Sequence, residues 1–224
     1  YEKFLIDSKI LTDKNINSIK KDISREIDLN INKAFDEKNI ISTIDKELND
    51  VYRDFNFEPV QRSSVVEEMR FVDAISDSLK ESMNKYNNLV LMGQDIAEYG
   101  GVFKVSEGFL DLFGKKRVRN TPICESSIIE VAMGLSICNR KSIVELQFSD
   151  FISSGFNPVV NYLAKIHYRW GQNADIVLRM PCGGGVGAGP FHSQTNEAWF
   201  TKTAGLIVVY PAFPDDAKGL LISS

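Results

Sequence analysis

Ser142-Ile143-Val144-Glu145-Leu146-Gln147-Phe148 is an apolar run of strand length, and Asp175-Ile176-Val177-Leu178-Arg179-Met180 is a second. Between them, Asn157 to Trp170 reads as a helix. Strand, helix and strand in that order form a crossover unit, the building block of a parallel sheet. The same alternation extends to both sides. Upstream, Leu89 to Met92 reads as a short buried strand, followed by the glycine-containing loop Gly93 to Gly101. Glu125 to Cys138 reads as a helix with Ile128, Val131, Ala132 and Leu135 on one side. Downstream come the loop Gly183 to Gly189, a helix from about Thr195, a strand from Leu206 to Tyr210 and a last helix starting at Asp215 or Asp216. The expected class is therefore α/β, a parallel sheet covered by helices on both faces. Ligands in such folds sit at the carboxyl ends of the strands, so the loops after Met92, Phe148 and Met180 are where chemistry is expected.

Ahead of this domain, Ser64 and Glu67 form the pattern of a capping box before Met69, Val72, Ile75, Leu79 and Met83. Residues 54–63 contain Pro59, lack a clear period and read as a linker, with the domain running from 64 to 224. Residues 1–53 form an N-terminal helical arm. A short helix is expected around Lys3 to Ser8, and Ile40 to Val51 is expected to continue helically. Between them Ile16, Ile19, Ile23, Ile27 and Ile31 recur at spacings of three and four, one stripe of a helix that Thr12 can cap. Such a stripe needs a partner surface. The chain starts at Tyr1 and stops within what reads as an apolar helix, so both ends are expected to be cuts through a longer protein.

The composition narrows the function classes. With 26 basic and 30 acidic residues the formal net charge is -4, which offers no positive field to nucleic acid or anionic lipid. No apolar run reaches the roughly 18 residues of a membrane span, and no signal peptide is visible. Cys124, Cys138 and Cys182 are too few and too scattered for a disulfide framework or a Cys-x-x-Cys metal site, which fits reduced thiols in a cytoplasmic protein. Two histidines are too few for a multi-histidine metal centre, and no metal ligand is assigned.

Three polar residues stand out against this apolar pattern. Glu125 opens an apolar helix, where a carboxylate favours the helix N-terminus; in a dry cleft it could instead carry a proton. Gln147 lies near the end of an apolar strand, where its amide needs partners. His192, in Phe191-His192-Ser193-Gln194, is placed for proton transfer or for pairing with an anion. The glycine run from Gly183 to Gly189 lacks the Lys-Ser or Lys-Thr of a Walker motif and the register of a dinucleotide fingerprint. Flexible backbone packed near a ligand or subunit, phosphate binding and a plain loop all stay open for it. These residues alone name no reaction.

Several segments in order carry a resemblance. Gly93-Gln94-Asp95-Ile96-Ala97-Glu98-Tyr99-Gly100-Gly101-Val102-Phe103-Lys104, Asn120-Thr121-Pro122-Ile123-Cys124-Glu125 and Glu145-Leu146-Gln147-Phe148-Ser149-Asp150-Phe151 are among them. With His192-Ser193-Gln194, Tyr210-Pro211 and Asp216-Ala217-Lys218-Gly219-Leu220-Leu221, they resemble the beta subunits of thiamine-diphosphate-dependent 2-oxoacid dehydrogenases, the E1 components, over about residues 65 to 224. Tyr1-Glu2-Lys3-Phe4-Leu5 with Leu11-Thr12 and the helical stretch behind them is similar to the C-terminal tail of the E1 alpha subunit, which suggests a fused E1.

The resemblance implies the pyrimidine-binding fold of thiamine enzymes. It also implies oxidative decarboxylation of pyruvate or a branched-chain 2-oxoacid, with acyl transfer to the lipoyl group of E2. Thiamine diphosphate and Mg2+ are the implied cofactors, with the Mg2+ ligands expected in an alpha-like domain outside this sequence. The implied partners are that alpha-like domain, in the same chain or as a second subunit, a lipoyl-bearing E2, and a homodimer or alpha2beta2-like assembly. Glu125 is then the glutamate that hydrogen-bonds the aminopyrimidine nitrogen, His192 a catalytic residue near the substrate and lipoyl entrance, and Gln147 part of the cofactor pocket. Gln94, which stands where many members have glutamate, and Phe151, where several have tyrosine, are counted with Glu125 and Gln147 as cofactor-binding. The fragment alone is expected to be inactive. The alternatives are a transketolase-like or deoxyxylulose-phosphate-synthase-like enzyme, which shares the pyrimidine domain and its glutamate, and a noncatalytic association module.

Overall fold

The computed structural model describes residues 1–54 and 64–224. They divide into two compact units, Tyr1–Thr43 and Ile44–Ser224. Nearly all of the linker expected over 54–63 lies outside the described residues.

In the first unit, α1 (Glu2–Asp7) precedes the long α2 (Asp13–Asp36). Thr12 and Asn15 cap α2 reciprocally: each side chain accepts a hydrogen bond from the other residue's backbone N–H, at 3.2 and 3.1 Å. Ile16 is buried, whereas Ile19, Ile23, Ile27 and Ile31 are each about half exposed.

The second unit holds α3 (Ile44–Val51), α4 (Phe71–Lys85), β1 (Leu89–Gly93), α5 (Phe109–Phe113), β2 (Val118–Asn120), α6 (Glu125–Ile137), β3 (Lys141–Glu145), α7 (Ala164–Trp170), β4 (Ile176–Arg179) and α8 (Pro214–Ser223). A turn of 3-10 helix, Ser149–Gly155, and a π-helical run, Pro158–Leu163, connect β3 to α7. The strands are parallel in the order β2-β1-β3-β4, with Leu91 opposite Val118 and Ile143, and Ile143 opposite Val177.

Helices cover both faces of the sheet, and the strand alternation shows how. Leu91 and Ile143 face one way, into a core with Leu79 and Met83 of α4, Ile96, Val105 and Phe109. Their neighbours Met92 and Val144 face the other way, against Ile128, Ile129 and Ala132 of α6, Ile152, Val159 and Leu163. Each fully buried Leu or Ile contributes about 1.5–3 kcal/mol. At the sheet's other edge, the guanidinium of Arg117 donates to the carbonyls of Met83 (2.6 Å), Tyr86 (2.7 Å) and Leu89 (3.0 Å). Burial holds that group below its ordinary pKa, and its bonds tie the end of α4 to the start of β2.

Several elements depart from the sequence expectation. The helix announced by Ser64 and Glu67 starts only at Phe71, after Arg70, and the capping box does not form. Met69 falls ahead of the helix, whose apolar stripe begins at Val72, and Arg70 donates to Asp73 in two hydrogen bonds of 2.6 Å across the first turn. The stretch from Ile40 becomes helical only at Ile44, and the helix from Thr195 shrinks to a single 3-10 turn, Glu197–Trp199. Leu206 to Tyr210 is no strand: it does not pair with the outer edge of β4, which is open among the described residues, and Ile207 is 85% exposed. β-branched composition alone does not make a strand. Short β2 and α5 were not anticipated from the sequence.

Candidate functional site

The carboxyl ends of β1, β2 and β3 bring the candidate residues to one edge of the sheet. Gly93 closes β1 against β3, so tightly that a Cβ on it would lie 2.4 Å from the Glu145 carbonyl oxygen. Gln94, directly after it, is buried. Thr121, after β2, donates its backbone N–H to the Gly93 carbonyl at 2.9 Å, which draws the chain leading into α6 toward β1. Glu125, the first residue of α6, is thereby placed beside Gln94, whose Nε2 donates to Glu125 Oε1 at 3.1 Å. The acidic side chain also lies in the favourable first turn of its helix.

Gln147, just beyond β3, donates from Nε2 to Asp95 Oδ2 at 3.1 Å. Asp95 adopts a left-handed backbone, φ 56°, and its carbonyl accepts from Gly101 N–H at 2.8 Å. Consecutive residues after β1, Gln94 and Asp95, thus take up Glu125 and Gln147. The structure brings these three sequence candidates together.

His192 and Phe151 form a second, aromatic group. The imidazole meets Phe148 edge-on at 4.9 Å between ring centroids and Phe151 at 5.4 Å. Phe103 also meets Phe148 edge-on, at 5.8 Å between ring centroids. Phe148, flanked by Gln147 in the chain, joins this group to the first. Phe151 presents only hydrocarbon to His192, and no hydroxyl.

Other features escaped the sequence reading. Glu145, at the end of β3, is buried, and Arg179 sits opposite it on β4. Arg179 Nε donates to Glu145 Oε2 at 3.1 Å, while Nη2 lies 2.5 Å from the same oxygen in an ion-pair contact too bent for a hydrogen bond. A charge at matching register on adjacent strands was the available signal. Asp95, Phe148, Ser149 and Asn196 gave none. The glycines from Gly183 to Gly189 form a mostly exposed loop in which an added Cβ would meet nothing within 4 Å, so close packing within the described chain does not require them. Among the described residues, no group of three or more His, Cys, Asp or Glu could hold a metal ion. No described helix is long and apolar enough to cross a membrane.

The family "Transketolase, pyrimidine binding domain" matches residues 67–224. The chain is 41% identical to the 2-oxoisovalerate dehydrogenase subunit beta of Bacillus subtilis over 155 residues, covering 68% of this chain and 47% of that protein. It is 38% identical to the pyruvate dehydrogenase E1 component subunit beta of Staphylococcus epidermidis over 159 residues, 70% of this chain and 49% of that protein. It therefore spans about half the length of these relatives. Among solved structures, a split gene transketolase described as an inactive beta4 tetramer shares the fold, with a TM-score of 0.54 at 16% identity over 68% of this chain and 46% of that one. Through residues 67–224, then, the chain belongs to the transketolase pyrimidine-binding domain family, in the form carried by the beta subunits of 2-oxoacid dehydrogenase E1 components.

Proposed function

We propose that this chain supplies the pyrimidine side of the cofactor site in the E1 component of a 2-oxoacid dehydrogenase. The enzyme would decarboxylate a 2-oxoacid oxidatively and pass the acyl group to the lipoyl arm of an E2 partner. The observation that carries the reading is the 3.1 Å Gln94–Glu125 hydrogen bond at the carboxyl edge of the sheet.

The residues present suit thiamine diphosphate. One carboxyl and two carboxamides offer the mixed donors and acceptors that an aminopyrimidine edge requires. Thr121 adds a buried hydroxyl without a partner among the described residues, just ahead of Glu125. When bound, the cofactor supplies the nucleophilic carbon and the electron sink.

Glu125 would present its carboxyl group to the ring nitrogen of the pyrimidine, with Gln94 engaged on Oε1. The amide of Gln94 gives Glu125 a neutral donor rather than a second carboxylate, so no like-charge repulsion arises between the two. Gln147, braced by Asp95, lines the pocket. His192 pairs with the anionic end of the substrate or passes a proton near the lipoyl entrance, its ring oriented by Phe148 and Phe151. The aromatic rings keep water from that side. The diphosphate and Mg2+ fall to an alpha-like part, and residues 1–53 are read as the tail of such a part joined to the domain by residues 54–63. Cytoplasmic location and an alpha2beta2-like assembly belong to the same proposal.

The test is Glu125→Gln in the enzyme assembled with thiamine diphosphate and Mg2+. It should lower kcat by about 10²–10⁴-fold; a variant at full rate would sink the reading. Pyruvate and 3-methyl-2-oxobutanoate, compared by kcat/KM with a lipoyl acceptor, identify the substrate. Turnover of a sugar phosphate in place of the 2-oxoacid would move the chain to the transketolase branch.

A further inference from the structure

Four successive residues after β3 touch the loop that carries His192, and they do so in two ways. Phe148 and Phe151, the outer pair, frame the imidazole with their rings. Ser149 and Asp150, the inner pair, hold the backbone of Gln194, two residues beyond the histidine. Ser149 Oγ donates to the Gln194 carbonyl at 2.6 Å, and the Gln194 N–H donates to Asp150 Oδ1 at 3.3 Å. Both backbone groups of one exposed loop residue are thus met by buried side chains about 45 positions away in sequence.

Two further bonds brace the holder itself. Asn196 Nδ2 donates to the Ser149 carbonyl at 2.9 Å, and Ser149 N–H donates to the Pro181 carbonyl at 2.8 Å. Ser149, Asp150 and Asn196 are each more than nine-tenths buried.

Packing gives no reason for a carboxylate at position 150. Its second oxygen, Oδ2, is closed off from solvent and takes no hydrogen bond among the described residues. An acceptor left unsatisfied in the interior weakens a fold. Groups that break this rule are expected where function, not stability, sets the choice. The use that the geometry offers is the Gln194 N–H.

We infer that Ser149 and Asp150 are positioning residues for His192: they fix the loop through the Gln194 backbone, so that the imidazole stays seated between Phe148 and Phe151. They touch neither substrate nor cofactor and act through the histidine alone. The inference rests on the reading of His192 as a residue of the E1 reaction.

The test uses Ser149→Ala, Asp150→Ala, Asp150→Asn, His192→Ala and the Asp150→Ala/His192→Ala pair in the assembled enzyme, read by backbone hydrogen exchange and by kinetics with a lipoyl acceptor. Asp150→Ala and Ser149→Ala should each speed exchange at the Gln194 amide and lower kcat about tenfold, with KM for the 2-oxoacid within about threefold. Asp150→Asn keeps an acceptor for the Gln194 N–H and should recover the larger part of both effects. The double variant should be no slower than His192→Ala alone, because a positioning residue has nothing left to position. Unchanged exchange at Gln194, or losses that multiply in the double variant, would overturn the inference. Should Asp150→Ala fail to fold, Ser149→Ala decides by the same two readouts. Full activity in His192→Ala would bring down the role of the histidine together with its positioning. An impaired His192→Ala beside a fully active Asp150→Ala and Ser149→Ala would bring down the positioning alone.

Discussion

Three acidic side chains near the carboxyl edge of the sheet, Glu125 partly buried and Glu145 and Asp150 buried, find partners in three ways. Glu125 takes an amide from Gln94, Glu145 takes a guanidinium from Arg179, and Asp150 takes a backbone N–H and leaves one oxygen unmatched. The second case carries the largest penalty if broken, because removal of one partner strands a charge in the interior. Arg179→Met should therefore lower stability by about 3–5 kcal/mol, seen as a fall in the denaturant midpoint with an unchanged slope. A loss under about 1 kcal/mol would mean that water reaches Glu145. At this scale the sequence was partly legible. Glu125, Gln147 and His192 were visible as polar side chains set into or beside apolar patterns. Asp95, Ser149 and Asn196 were not, because hydrogen bonds between residues far apart in the chain leave no periodic trace.

The elements that sequence made plain are those with an apolar run or stripe long enough to register. β1, β3, β4, α6 and α8 are among them, and the structure places each within a few residues of its expected span. β2 has three residues, of which only Val118 is buried, too few for any period to register. Leu206 to Tyr210 shows the reverse case, strand composition in a segment that stays unpaired beside the open edge of β4. At Ser64 and Glu67 a local capping signal lost to the apolar stripe, which starts later. The junction of β1 and β3 supports a prediction of its own. Gly93→Ala would press a methyl group to 2.4 Å from a backbone carbonyl that cannot move without disturbing the pairing. The variant should lose about 1–3 kcal/mol and weaken cofactor binding, since Gln94 follows directly. Thermal melts and cofactor titration together check this, and a variant that matches the parent in both would show that the strands part easily.

At the scale of the molecule, the residues proposed for the pyrimidine side lie on one edge of a domain that spans about half the length of its relatives. A few neutral hydrogen bonds to a pyrimidine give modest affinity, and among the described residues nothing forms a cluster for a divalent cation. A calorimetric titration of thiamine diphosphate with Mg2+ into the 224-residue chain should accordingly show no tight binding. Addition of an alpha-like polypeptide should restore it. Tight, Mg2+-dependent binding by the chain alone would place the diphosphate site within it.

The Glu145–Arg179 pair has a consequence for how the two groups of site residues are held. A slip of β4 by one residue against β3 would turn Arg179 to the opposite face, among Val144 and Leu146, and leave Glu145 without its cation. The pair acts as a keyed joint, neutral in a single alignment of the two strands. β3 leads to Ser149 and β4 leads to His192, so the two segments that must find each other both depart from a junction that locks in one position.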